Sequence, residues 1–220
     1  MMLRPKLSLS GVTNVIMLVA VVILVAGSHS PVRVALSRWS ASRQSSKYIQ
    51  ANWQQIADVR TRLGADRGPV DLVMFTDYNC PYCQQANDLI EPFLKTAPNV
   101  TIAIRYLSVT GPAGERSARA AICASSEIRL EKLSPALYRA GELSSERDVV
   151  NLARSVGIAD SAAFSACISS SVSKKRFDDD IQLAHQLGIT GTPSFVLRNG
   201  SIGHLSDLPT ILKSVRSAEH

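Results

Sequence analysis

Across 220 residues there is no Lys/Arg stripe interleaved with aromatics, no second long apolar run and no second Cys-x-x-Cys. Each absence removes a class of function. Without a basic, stacking stripe, nucleic-acid binding is not expected of the folded part. The four histidines, His29, His185, His204 and His220, are scattered, and no His-x-x-x-His completes a four-ligand zinc site, so no metal and no cofactor is expected. Even the net charge of +6 belongs to one end of the chain. Residues 1–65 hold eight basic side chains against Asp58 alone, whereas the remainder holds sixteen basic and seventeen acidic ones.

The one long apolar run covers residues 12–26, interrupted by Thr13 and Asn14 and preceded by Arg4 and Lys6. A basic tail over 1–11 followed by an apolar segment over 12–28 has the pattern of an export signal. Val25-Ala26-Gly27 is only a fair cleavage site, so the segment is expected to stay as a short membrane anchor, with cleavage and release as the alternative. Three arginines after the run (Arg33, Arg38, Arg43) argue for the opposite orientation by the positive-inside rule. The cysteine chemistry outweighs that count and places the domain on the extracytoplasmic side. No cysteine follows the run to carry a lipid. Residues 29–48, rich in Ser and Arg, read as a juxtamembrane linker, and the folded domain is expected over 49–220.

Within that domain Ile49, Trp53, Ile56, Val59 and Leu63 recur at helical spacing, and Gly64 reads as the stop. A buried strand is expected over 70–75. A helix follows from Cys80 with Pro81 at its first position, and Pro92 should kink it or end its first half. A second strand is expected over 100–104. Helical patterns then run without strand signals to Gly188, with a Ser-x-x-Asp start at Ser145 for one of them and Asp160 placed to cap the next. The charged run Lys174-Lys175-Arg176-Phe177-Asp178-Asp179-Asp180 reads as a solvated face with local ion pairs. The chain closes on a strand after Pro193, an Asn199-Gly200 hairpin turn, a second strand near 201–204 and a helix from Asp207. The order βαβ, helices, ββα describes an α/β, thioredoxin-like fold with a helical insertion at about 113–188.

The chemistry is expected at Cys80-Pro81-Tyr82-Cys83, a dithiol between a strand and a helix. Cys80 at the helix N-cap meets unsatisfied amides and the positive end of the helix dipole, and both favour thiolate over thiol. Cys83, one turn on, is placed to resolve a mixed disulfide. A zinc half-site and a purely structural Cys80–Cys83 bridge are the blander readings of the same four residues.

The segment 75–83, Phe-Thr-Asp-Tyr-Asn-Cys-Pro-Tyr-Cys, together with Gly191-Thr192-Pro193-Ser194 far downstream, resembles the DsbA-type thiol–disulfide oxidoreductases. The resemblance covers about residues 53–215. It implies that Pro193 is a cis proline facing the dithiol and that the Thr192 backbone pairs with an extended substrate chain. It also implies thiol-containing exported proteins as substrates and a membrane-bound redox partner that reoxidises the pair. Two positions depart from the family pattern. Where many relatives carry a buried acid, six residues before the first cysteine, this chain has Met74, which leaves water or Asp77 to move a proton at Cys83. Thr192 is found in isomerase-type relatives, whereas the best-known oxidases have Val, so an isomerase or reductase stays open beside the oxidase. Some relatives carry a second, non-catalytic disulfide, which here implies Cys123–Cys167, the alternative being two separate buried thiols. A glutaredoxin is disfavoured because Pro193 lies 113 positions beyond Cys80. A dithiol metal carrier would call for Met and His around the motif, and only Met74 is close in sequence.

Overall fold

The computed structural model describes residues 16–18, 42–59, 61–65, 68–124 and 127–217. Among them no helix is long and apolar enough to cross a membrane. The basic tail over 1–11 lies outside the described residues, as does the segment expected over 12–28 apart from residues 16–18, and as do residues 29–41 of the linker. Ser45 to the C-terminus folds as one unit.

The N-terminal helical period holds for only part of its expected length. Residues 45–51 are helical, starting ahead of Ile49, and the helix resumes as α1 (Trp53–Ala57), burying Ile49, Trp53 and Ile56. It does not reach Leu63. The chain turns after Ala57, and Arg62–Gly64 becomes β1, antiparallel to a six-residue strand, Thr101–Tyr106. The reason lies in that partner strand, every residue of which is buried. Its outer edge would otherwise leave amide and carbonyl groups without partners, a cost larger than that of ending a short helix. Thr61 completes the seal, its carbonyl accepting from Ile104 N at 2.8 Å and its hydroxyl donating to Ile104 O at 2.7 Å.

The sheet runs β1–β3–β2–β4–β5, where β2 is Leu72–Thr76, β3 Thr101–Tyr106, β4 Ser194–Leu197 and β5 Ile202–Gly203. β2 and β3 are parallel, and the other pairs are antiparallel. Strand alternation divides the core into two layers. Leu72, Met74, Ile102, Ile104, Tyr106 and Phe195 face one cluster. Val73, Phe75, Ala103 and Val196 face the other, shared with Ile49, Trp53 and Ile56.

The first layer packs on α2 (Pro81–Thr96) and on the helical insertion. Pro92 does not divide α2: it stands with Asp88 on the exposed side, where water can take up the carbonyl that loses its partner. The insertion comprises α3 (Pro112–Cys123), α4 (Glu127–Ala140), α5 (Glu146–Ser155), α6 (Ser161–Ser169) and α7 (Ser171–Leu187). Its caps are those its sequence offers, a Ser145/Asp148 capping box and Asp160 accepting from Ala163 N. Cys123 and Cys167 are bonded to each other, joining the end of α3 to α6.

The charged run on α7 departs from expectation at one residue. Lys174–Asp178 and Lys175–Asp179 are solvent-exposed ion pairs one turn apart. Asp180 instead turns inward, 6% exposed, and accepts from Arg105 Nη1 at 2.6 Å and from Tyr106 N at 3.0 Å. Helical rotation carries position 180 to the same side as Phe177 and Ala184, both buried. After β4, the Asn199-Gly200 turn places Gly200 at φ +90°, a conformation open to glycine at little cost. The final helix, α8 (Leu208–Ser217), follows a single 3₁₀ turn over Leu205–Asp207.

Candidate active site

Cys80 sits at the carboxyl end of β2, after the turn Asp77-Tyr78-Asn79, and is the N-cap of α2 with extended backbone (φ −86°, ψ 121°). Pro81 at the first helical position has no N–H to satisfy, and the Cys80 carbonyl accepts from Cys83 N at 3.0 Å and Gln84 N at 3.2 Å. The Cys80 thiol points across to the loop before β4 and donates to the Thr192 carbonyl at 3.5 Å. The Thr192–Pro193 bond in that loop is cis. Sequence separation of 112 residues is thus closed into one site.

The two sulfurs are inequivalent. Cys80 keeps 6% of its surface, Cys83 none, and both are free. The Asp77 amide donates to Cys83 Sγ at 3.5 Å. Burial pushes the Cys83 thiol up to about 12, opposed by hydrogen bonding from the Thr192 and Thr76 hydroxyls and the Asp77 amide. The Thr192 hydroxyl is itself buried with no partner in good geometry, so it is available to a charged sulfur.

Asp77 is a scaffold for the turn. Its Oδ1 accepts from Asn79 N at 3.0 Å, and its Oδ2 accepts from Val109 N at 2.8 Å, Thr110 N at 2.9 Å and Thr110 Oγ1 at 2.8 Å. Only its amide meets Cys83. The carboxylate fits its place because Gly114 brings α3 in close: a Cβ there would lie 2.7 Å from Asp77 Oδ1 and 2.5 Å from Ser108 Oγ. Met74, where an acid was the family expectation, is buried in the sheet. Tyr82 is 59% exposed and Val109 47%, giving the rim an apolar character.

Sequence reasoning missed a cluster of buried hydroxyls behind the dithiol. Tyr138 of α4 meets Thr76 Oγ1 at 2.6 Å, and Tyr78 donates to Ser134 at 3.3 Å and lies 3.5 Å from the Tyr106 hydroxyl. The Tyr78 and Tyr138 rings pack with centroids 4.6 Å apart. Burial raises all three phenols above their usual range. Tyr78 and Tyr106 end up at the carboxyl ends of adjacent strands, a signal that could have flagged them. Tyr138 carried no such signal. Cys123 and Cys167, bonded together in the insertion, take no part in the dithiol. Among the described residues no cluster of three or more His, Cys, Asp or Glu could hold a metal ion.

Solved structures share this architecture. A linker-deletion mutant of ScsC from Proteus mirabilis is 21% identical, covers 99% of this chain and 100% of its own, and superposes with a TM-score of 0.70. The thiol-disulfide exchange protein alpha-DsbA2 from Wolbachia pipientis is 19% identical with a TM-score of 0.70, over 81% of this chain and 98% of its own. A thioredoxin-like oxidoreductase from Silicibacter pomeroyi is 28% identical with a TM-score of 0.63, over 74% of this chain and 96% of its own. No curated protein matches in sequence. Residues 71–215 match the DSBA-like thioredoxin domain, a span that holds both cysteines of the dithiol, the cis-proline loop and the whole insertion. The chain belongs to the DSBA-like thioredoxin domain family, that of the DsbA-type thiol–disulfide oxidoreductases.

Proposed function

We propose that the chain is a dithiol oxidase that introduces disulfides into exported proteins. The observation that carries this reading is the asymmetry of the pair: Cys80 faces the cis-proline loop at a helix N-terminus, while Cys83 is sealed behind it. A substrate thiolate attacks Cys80 Sγ of the Cys80–Cys83 disulfide. The S–S bond breaks, and Cys83 departs with the electron pair. A second substrate thiolate attacks the substrate sulfur of the mixed disulfide and releases Cys80. The substrate loses two electrons and the enzyme becomes the dithiol. A membrane redox partner then reoxidises it. Thr192 and Pro193 hold the substrate chain beside Cys80, Pro81 and Tyr82 shape the approach, and Asp77 braces the turn.

In this reading the domain works outside the cytoplasm, tethered by residues 12–28 or released by their cleavage. A disulfide isomerase or reductase of the same fold is the second reading, favoured by the unpartnered Thr192 hydroxyl near Cys83, a feature that a valine would lack. Equilibrating the protein in glutathione buffers decides between them. A Cys80–Cys83 potential near the oxidising end of the scale, about −120 mV, supports the oxidase; one near about −270 mV makes the chain a reductase.

A further inference from the structure

When Cys83 leaves the disulfide, negative charge forms on a side chain with no exposed surface. Few groups can answer it. The Asp77 carboxylate already takes four donors, from Asn79, Val109 and Thr110. The buried cation among the described residues, Arg105, is committed to Asp180 and to the carbonyls of Gln55 and Ile56. Besides Cys80 and the Asp77 amide, 3.5 Å from Cys83 Sγ, the groups that act on this thiol include hydroxyls: Thr192 from the loop and Thr76, the residue before Asp77 on β2, with Tyr138 of α4 bonded to Thr76 at 2.6 Å.

We propose that Thr76 and Tyr138 form a reversible hydroxyl pair that delivers a hydrogen bond to Cys83 whenever its sulfur carries charge. With Cys83 as thiolate, Tyr138 Oη donates to Thr76 Oγ1 and Thr76 donates to the sulfur. With Cys83 in the disulfide, no donor is needed there and the pair reverses. A 2.6 Å O–H···O contact in which either oxygen can be the donor permits both settings, and such chains polarise one another in a dry interior. Burial keeps the Tyr138 phenol protonated well above its ordinary range, so it acts as a donor without giving up its proton. Placement is built in. Ser134 and Tyr138 stand one turn apart on α4, and Tyr78 engages the first by hydrogen bond and the second by ring packing. Tyr138 is therefore a positioning residue acting through Thr76, and the helical insertion is part of the redox site. The proposal rests on the reading of Cys83 as the departing sulfur.

The test separates a step in which Cys83 leaves from one in which it does not. The first is reduction of the oxidised full-length chain by a cysteine-containing peptide. The second is attack by Cys80 of the reduced chain on an aromatic disulfide reagent, followed by the coloured thiol released. Thr76→Val should slow the first step about tenfold, the worth of one hydrogen bond to a charged group, and Tyr138→Phe about fivefold, the worth of a neutral one; both should leave the second within twofold. Thr76→Ser should restore the first step. Equal slowing of both steps would reduce Tyr138 to a packing residue and overturn the proposal, as would a first step unchanged in Tyr138→Phe. A wild-type chain that the peptide cannot reduce at all would instead remove the functional reading beneath it.

Discussion

On one face of the sheet Thr76, Tyr78, Tyr106 and Tyr138 keep neutral hydroxyls behind Cys83; on the other, Arg105 and Asp180 hold full charges in contact at 2.6 Å. Both solve the problem of burying polar groups, and they differ in what they allow. A hydroxyl donates or accepts, so its network adapts to a sulfur that gains and loses charge. An ion pair has fixed directions, the guanidinium donating and the carboxylate accepting. Arg105 ties the carbonyls of Gln55 and Ile56, Asp180 ties the Tyr106 amide, and the N-terminal helix and α7 are thereby locked to β3. The working face is built from groups that can change roles, the opposite face from groups that cannot.

The sharpest way to separate the faces is to remove the thiol proposed to meet the substrate. Cys80→Ala should drop peptide oxidation to background, while urea unfolding shifts by only about 1 kcal/mol, the usual cost of one small truncation at a buried position. The reverse pattern is expected opposite. Arg105→Met strands the Asp180 charge and should cost about 3–5 kcal/mol in the same titration, with exchange per folded molecule unchanged. The double variant Arg105→Met/Asp180→Leu should recover part of that loss, because an apolar pair needs no desolvation, the remainder being the lost partners of the Gln55 and Ile56 carbonyls and the Tyr106 amide. If the double is no better than the single, the pair is a net stabiliser and the contrast between the faces weakens.

A smaller effect is expected from the insertion staple. Cys123→Ala/Cys167→Ala should lower stability by up to about 4 kcal/mol on the chain-entropy estimate for a closed loop of this size, with Cys80–Cys83 exchange intact. The smallest is a pH effect on the charged face. Burial holds the Asp180 carboxyl up at about 6 against an ordinary 3.8, with Arg105 and the Tyr106 amide pulling it back down. The folded state then binds this proton more tightly than the unfolded chain. Its contribution is complete below pH 3.8 and is lost as pH rises through about 6. Between those values wild type should lose on the order of 1–3 kcal/mol relative to Asp180→Asn, read by urea titration at each pH. A parallel pH profile in the two proteins would show that Asp180 is ionised throughout.

Legibility in the sequence followed range. The dithiol and its helix start, the Ser145 and Asp160 caps and the Asn199-Gly200 hairpin are set within a few residues and were readable as such. The cis-proline loop and the Cys123–Cys167 bond are distant pairings, and they were readable only through resemblance to a family. The helix expected to reach Leu63 and the solvated reading of Asp180 failed for one reason. In both places a demand from β3 overrode the local pattern: its open edge recruited residues 62–64, and Arg105 on its inner face recruited Asp180.

The amino-acid sequence alone determined where the dithiol stands, because a Cys-x-x-Cys between a strand and a proline-led helix sets the spacing of its sulfurs locally. It determined the α/β order of elements too, through hydrophobic periods of two and 3.6 residues. The tertiary structure decided what surrounds the sulfurs. Tyr138 reaches Thr76 across 62 positions, Arg105 reaches Asp180 across 75, and the Thr192 carbonyl reaches Cys80 across 112. No local period encodes such contacts, since each exists only once two packed layers bring remote faces to hydrogen-bonding distance.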